Sequence, residues 1–183
     1  MLFKFNIHLD DKDYLDFHLF WMTRSPYGKK NILLVRILAA VVLGAMALVS
    51  LADGSDSLKT FLLGVIPHII LLALFELLLV PFLGWSVKGQ LKALKKKGKM
   101  GYSPVSELEF YDETFVEITP DTKTEQTYSA IERVSIIAGK IIYLHANNVS
   151  AYLLPLSCFA SKEQFDKFCA FLQTKCANIR VYK

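Results

Sequence analysis

Apolar residues in the first half of the chain fall into two long runs, residues 32–51 and 60–87. A helical run of about 20 residues covers about 30 Å, the thickness of a bilayer core. The second run reaches about 42 Å if fully helical. It is therefore expected to tilt, to kink at Pro67 or Pro81, or to extend into the headgroups. Asp53-Gly54-Ser55-Asp56-Ser57 between the runs is a polar turn, short enough to demand a hairpin with spans at about 32–51 and 60–84. Lys29 and Lys30 precede the first span. Lys88, Lys92, Lys95, Lys96, Lys97 and Lys99 follow the second, with Lys59 alone between them. The positive-inside rule then places both termini in the cytoplasm. The first run starts after about 30 mixed residues and is too long for the apolar core of a signal peptide, so it is expected to stay as an anchor.

Outside the runs the periods are those of a small soluble domain. Residues 2–9 alternate as a strand. Asp10 or Asp11 is a plausible N-cap for a helix in which Leu15, His18, Leu19 and Met22 make an apolar stripe suited to the membrane surface. Ser25-Pro26-Tyr27-Gly28 breaks that helix. After a linker at 98–104 the period becomes two, with Leu108 and Phe110 alternating with Glu107 and Glu109. Further strands are expected at 115–119, at 125–137 as one strand or two, at 141–145 and at 150–154. Turns at 111–114, 120–123, 138–140 and 147–148 separate them. Ser161 and Gln164 form a capping box, and Phe165, Phe168, Cys169, Leu172 and Cys176 stripe the helix that follows. A short strand is expected at 178–182. The fold class is an α+β membrane protein: an N-terminal strand and amphipathic helix (1–28), a two-helix transmembrane hairpin (29–88), a basic linker (89–105), and a small antiparallel β domain ending in a helix (106–183).

Composition agrees with this division. Apolar residues make up 53% of the 183 and the mean hydropathy is positive, with the excess held in the two runs. Residues 1–105 carry 13 Lys and Arg against 7 Asp and Glu, a net of +6, while residues 106–183 carry 8 against 10, a net of −2. The basic character thus belongs to the membrane-proximal half. A slightly acidic soluble domain with no basic stripe argues against a nucleic-acid partner. Cys158, Cys169 and Cys176 include no CxxC pair. Cys169 and Cys176 lie about 10 Å apart along a helix, too far for a disulfide, so buried thiols in a reducing compartment are expected.

The layout resembles the YcxB-like proteins, a bacterial family of small membrane proteins. The resemblance rests on Tyr128-Ser129-Ala130-Ile131-Glu132-Arg133-Val134, Ile141-Ile142-Tyr143-Leu144 and Ala151-Tyr152-Leu153-Leu154-Pro155. Ser157, Phe159 and the helix start at 161–168 complete it. Tyr128 stands where a Trp is common, which keeps an aromatic anchor. The resemblance implies a C-terminal domain similar to bacterial pleckstrin-homology-like domains, a curved antiparallel sheet plugged by a terminal helix, in the inner membrane of a bacterium. It implies no reaction and no catalytic residues.

Candidate chemistry is sparse. Arg36 and Glu76 fall in the same leaflet of an antiparallel hairpin and are a candidate intramembrane pair. His68 lies deeper. Ala40 and Gly44 have a spacing that permits close helix packing, expected within the hairpin. Lys88, Lys92, Lys95, Lys96, Lys97 and Lys99 are candidate contacts for anionic lipid. The turn at 111–114 is acidic and unsuited to a phosphoinositide. His145 and Cys158 offer the residues of a Cys–His couple, but a packed thiol is the simpler reading. No catalytic motif, metal cluster or cofactor loop is present in the sequence. The leading expectation is a non-enzymatic interaction or regulatory module, tethered to the lipid bilayer and facing an unknown protein partner, with a homo-oligomer possible. A transport or envelope-stress component using Glu76 and His68 in an oligomer is an alternative, and an anionic-lipid sensor is another.

Overall fold

The computed structural model describes residues 1–52, 58–98, 100, 102–147 and 150–182. The polar turn at 53–57, Lys99 of the basic segment, Gly101 of the linker and Asn148 of the turn at 147–148 lie outside the described residues. The chain forms two compact units: Met1–Tyr14 together with Met100–Lys183, and Leu15–Lys99.

The first unit contains eight described strands: β1 (Phe3–His8), β2 (Val105–Phe110), β3 (Thr114–Ile118), β4 (Lys123–Thr127), β5 (Arg133–Ile137), β6 (Ile141–His145), β7 (Ala151–Pro155) and β8 (Ile179–Tyr182). They build two four-stranded sheets, β1-β2-β3-β4 and β7-β6-β5-β8. Neighbours are antiparallel except β5 and β8, which run parallel because the helix α4 (Lys162–Lys175) returns the chain to the start of β5. The stretch 125–137 divides where Tyr128–Ala130 forms a short 3-10 turn between the sheets.

β1 differs from expectation most. It belongs to this unit and not to a separate N-terminal segment. Phe3 lies opposite Phe110 and His8 opposite Val105, so the two helices of the chain's apolar half are inserted between adjacent strands of one sheet. Alternation explains the burial. Phe5 and Ile7 enter the core beside Leu108 and Phe110, while Lys4 points outward to Glu107 at 2.6 Å and Glu109 at 3.2 Å. Val134, Ile136, Ile142, Leu144 and Leu154 supply the other sheet, and Phe168 and Leu172 of α4 are fully buried in the same cluster. The Phe168 ring meets Phe5 and Phe110 at 4.8 Å and Phe3 at 5.2 Å between centroids. Ser161 Oγ accepts the Gln164 N–H at 3.2 Å. The return bond of the expected box shifts by one residue, since Gln164 Oε1 accepts from Ala160 N–H at 2.7 Å. The expected apolar stripe ends in Cys176, which lies just past α4 as its C-cap.

In the second unit, α2 (Pro26–Ala52) and α3 (Leu58–Lys96) are long and apolar enough to cross a membrane, with mean hydropathies of 2.7 and 2.5 over their most apolar 18 residues. α2 starts before the expected span because Pro26 suits the first helical position. Ser25 caps the start, accepting from Gly28 N–H at 2.9 Å and donating to the Trp21 carbonyl at 2.5 Å. Glycine is required at 28, where a Cβ would overlap the carbonyl oxygens of Trp21 and Met22. α3 runs unbroken through Pro67 and Pro81. Its length of about 58 Å carries it past the second apolar run, so Lys92, Lys95 and Lys96 stand, like Lys88, on helix and not on a linker.

The helix α1 (Asp11–Thr23) links the units. Asp10 and Asp13 cap its start reciprocally, with Asp13 N–H to Asp10 Oδ1 at 2.9 Å and Asp10 N–H to Asp13 Oδ2 at 3.1 Å. The expected surface stripe of Leu15, His18, Leu19 and Met22 is only half-buried, and Phe17 and Phe20 are the deepest residues. The helix is covered on most of its circumference instead of lying with one bare face.

Phe5→Ala removes a ring that packs on both β2 and α4. It is expected to lower the stability of the β unit by about 3–5 kcal/mol, read by pulse proteolysis of the full chain. A Phe5→Ala protein as resistant as the parent would show that β1 is dispensable.

Candidate functional site

The hairpin brings two predicted residues together. Arg36 is ten residues into α2 and Glu76 twelve residues before Lys88 on the antiparallel α3. The Arg36 Nε lies 2.9 Å from Glu76 Oε2, with 43% and 38% of the two side chains exposed. In hydrocarbon a lone charge at a helix centre costs about 2.5–3.5 kcal/mol, and pairing at contact distance offsets part of that. The pair sits at the edge of the helix–helix seam, which is built by Ala39, Leu43 and Ala47 on α2 and by Leu72, Phe75 and Leu79 on α3.

His68 does not join it. Its Nδ1 lies 2.8 Å from the Gly64 carbonyl, which can only accept, so Nδ1 carries the proton. Glu76 is two turns away along the same helix, about 12 Å. Gly44 has nothing within 4 Å of where a Cβ would stand, so the Ala40 and Gly44 spacing does not pack inside the hairpin as expected. Sequence reasoning missed an apolar hollow of about 450 Å³ lined by Trp21, Ile32, Val35, Phe75 and Leu79, to which neither Arg36 nor Glu76 contributes. Residue spacing alone carries no signal for it.

The lysines form a surface. Lys88, Lys92 and Lys95 recur at i, i+4 and i+7 on one side of α3, with Lys96 beside them, and all are exposed. Val87 and Leu91 lie buried on another side. Lys97 follows the helix end.

In the β unit, Arg133, Ser135 and His145 form a polar cluster that sequence reasoning also missed. Arg133 lies directly opposite His145 across β5 and β6, while Val134 and Ile136, which alternate with Arg133 and Ser135 along β5, face the core. His145 is 1% exposed. Arg133 Nη2 can only donate, to Nδ1 at 3.4 Å, so Nε2 is protonated and donates to Ser135 Oγ at 3.0 Å. Burial, reinforced by the Arg133 charge, pushes His145 down to about 4. The signal was present in the period-two alternation: Arg133 and Ser135 occupy the positions of β5 that do not face the core.

Cys158 sits in the short helical turn Leu156–Cys158 and packs against the core. Burial pushes its thiol up to about 12 and that of Cys169 up to about 11, so both stay protonated at neutral pH. Tyr128 anchors the chain between the sheets. Its hydroxyl is directed at the carbonyls of Tyr111 at 2.7 Å and Thr114 at 3.1 Å, which pins the acidic turn between β2 and β3. Lys175 at the end of α4 meets Asp112 of that turn at 2.7 Å.

Apart from Lys175, these anchors lie in one stretch with a family counterpart. Residues 110–172 match the family model for YcxB-like protein. The YcxB-like region thus runs from the end of β2 to Leu172 of α4, within the first unit, and includes Tyr128, the Arg133 cluster and Cys158. No curated protein matches the chain, and no solved structure matches it.

The histidine makes the β unit acid-sensitive. Unfolded histidine takes a proton near pH 6.5 and folded His145 only near pH 4, so the unfolded state binds more protons in between. Stability is complete above pH 6.5 and falls by about 3 kcal/mol as the pH drops to 4. His145→Gln should flatten that slope in pH-dependent pulse proteolysis. A slope unchanged by the substitution would assign the acid sensitivity to other groups.

Proposed function

We propose that this chain is a membrane-tethered, non-enzymatic interaction or regulatory module of the bacterial inner membrane. In this reading α2 and α3 span the bilayer, both termini are cytoplasmic, and the YcxB-like unit is a pleckstrin-homology-like domain offering a sheet edge to a protein partner. The pairing of β1 with β2 carries the reading. His8 and Val105, where the helical insertion leaves and re-enters the sheet, are direct neighbours. That neighbourhood supports both ends of the hairpin emerging on one side, and the lysine bias favours the cytoplasm as that side. β8 supplies an edge for strand addition, with Val181 68% exposed.

Tags at both termini should resist protease in intact spheroplasts and be cut in inverted vesicles. A photo-crosslinking residue at Val181 should trap one defined protein in cells, and the trapping should be lost with Phe5→Ala. Termini on opposite sides would end this reading. So would turnover of a phosphoester, peptide or lipid that His145→Ala abolishes.

The lysine face of α3 favours a second, compatible reading in which the module senses anionic lipid. Anionic lipid should then stabilise the full chain in nanodiscs in a salt-sensitive way, and exchanging Lys88, Lys92 and Lys95 for Gln should remove the effect. Equal stabilisation by neutral lipid would sink it.

A further inference from the structure

The Arg36–Glu76 pair is joined within one hairpin yet leaves about two-fifths of each side chain uncovered, on helices that otherwise present only apolar and small residues at that level. Helical periodicity shows what surrounds it. Ala40 and Gly44 lie one and two turns past Arg36, rotated away from the seam, and Ala73 lies one turn before Glu76. Because the helices run antiparallel, these rotations carry all three small residues to the same face of the hairpin as the charged pair. Ala40, Gly44 and Ala73 are exposed there, and Gly44 meets nothing within 4 Å.

We propose that this face is the contact between two copies of the chain, related by a two-fold axis along the membrane normal, with Arg36 of each copy reaching Glu76 of the other. The argument rests on the membrane-spanning reading above and on charge complementarity. A rotation about the membrane normal keeps every residue at its depth. Arg36 and Glu76 already share a depth, since they are in contact. Any two-fold docking through this face therefore brings each cation level with the other copy's anion, and the two ion pairs become a four-charge cluster shielded from lipid. A different membrane helix would need its own matched charges at that depth. The chain itself is the partner on hand that has them. The small residues let the backbones approach closely enough for the side chains to cross.

The test uses the full chain with a C-terminal fluorescent fusion, reconstituted in liposomes at falling protein-to-lipid ratio, with dimers read by energy transfer. The parent should dimerise, and Arg36→Gln or Glu76→Gln alone should weaken the dimer by roughly tenfold. Mixing the two variants should recover pairing. The mixed dimer regains one Arg36–Glu76 contact between copies, although neither variant has one within its own hairpin. Gly44→Leu should weaken the dimer with both charges in place. A chain released by carbonate wash would defeat the membrane reading and this proposal together. A chain retained in the membrane but monomeric would overturn the proposal alone and assign the face to another membrane helix. A mixed sample that pairs no better than either variant would overturn it as well.

Discussion

The backbone pairing of Phe3–His8 with Val105–Phe110 spans about a hundred residues of sequence, and the β unit depends on it. Phe3 and Phe5 belong to the strand made first. Phe168, the ring they pack on, belongs to the helix near the end of the chain. Without β1, β2 becomes a bare edge and one side of the Phe168 cluster opens. The entropic cost of closing so long a loop rises only logarithmically with length. A pre-formed helical hairpin lowers it further by bringing its two ends back together. The apolar helices thus help to fold the β unit.

Among the described residues, three ionisable sites in apolar surroundings are compensated in different ways. Arg36 and Glu76 neutralise each other at contact distance. His68 bonds the Gly64 carbonyl one turn back, close to Pro67, which has no N–H of its own to give the helix. His145 gives up its charge and is held as one tautomer between a cation and a hydroxyl. The first solution keeps two charges at the edge of a helical seam. The last keeps the ring neutral, which costs nothing at neutral pH and becomes costly in acid.

Much of this was legible from residue periods. The two apolar runs, the Asp10 cap, the alternation around Leu108 and Phe110, and the α4 stripe each follow from local spacing and appear in the structure. Local spacing also bounded what could be read. The alternation of residues 2–9 shows a strand but carries no partner, so its place beside β2 was invisible without tertiary structure. The parallel pairing of β5 with β8 escaped for the same reason. The start of α2 at Pro26 and the helical course of the lysines were obscured by reading a membrane limit as a helix limit. Arg36 and Glu76 could be paired from depth alone, because a hairpin converts sequence position into depth. The Arg133, Ser135 and His145 cluster needed strand register, which turn lengths did not specify.

The insertion also constrains how the molecule assembles. β1 is made before either apolar helix, and its partner strand only after both. Phe3, Phe5 and Ile7 must therefore wait, unpaired and apolar on one face, until the hairpin is complete and residues 105–110 follow. Outward positions on β1 hold Lys4, Asn6 and His8, two of them charged or titratable, which keeps the waiting strand soluble and discourages pairing with another chain. The salt bridges of Lys4 to Glu107 and Glu109 then discriminate the correct neighbour. The register that satisfies them also turns Phe5 and Ile7 inward, whereas a one-residue slip would send both to solvent. Exposed ion pairs of this kind contribute little to stability, so their weight here lies in selecting one register for a strand that closes over a long insertion.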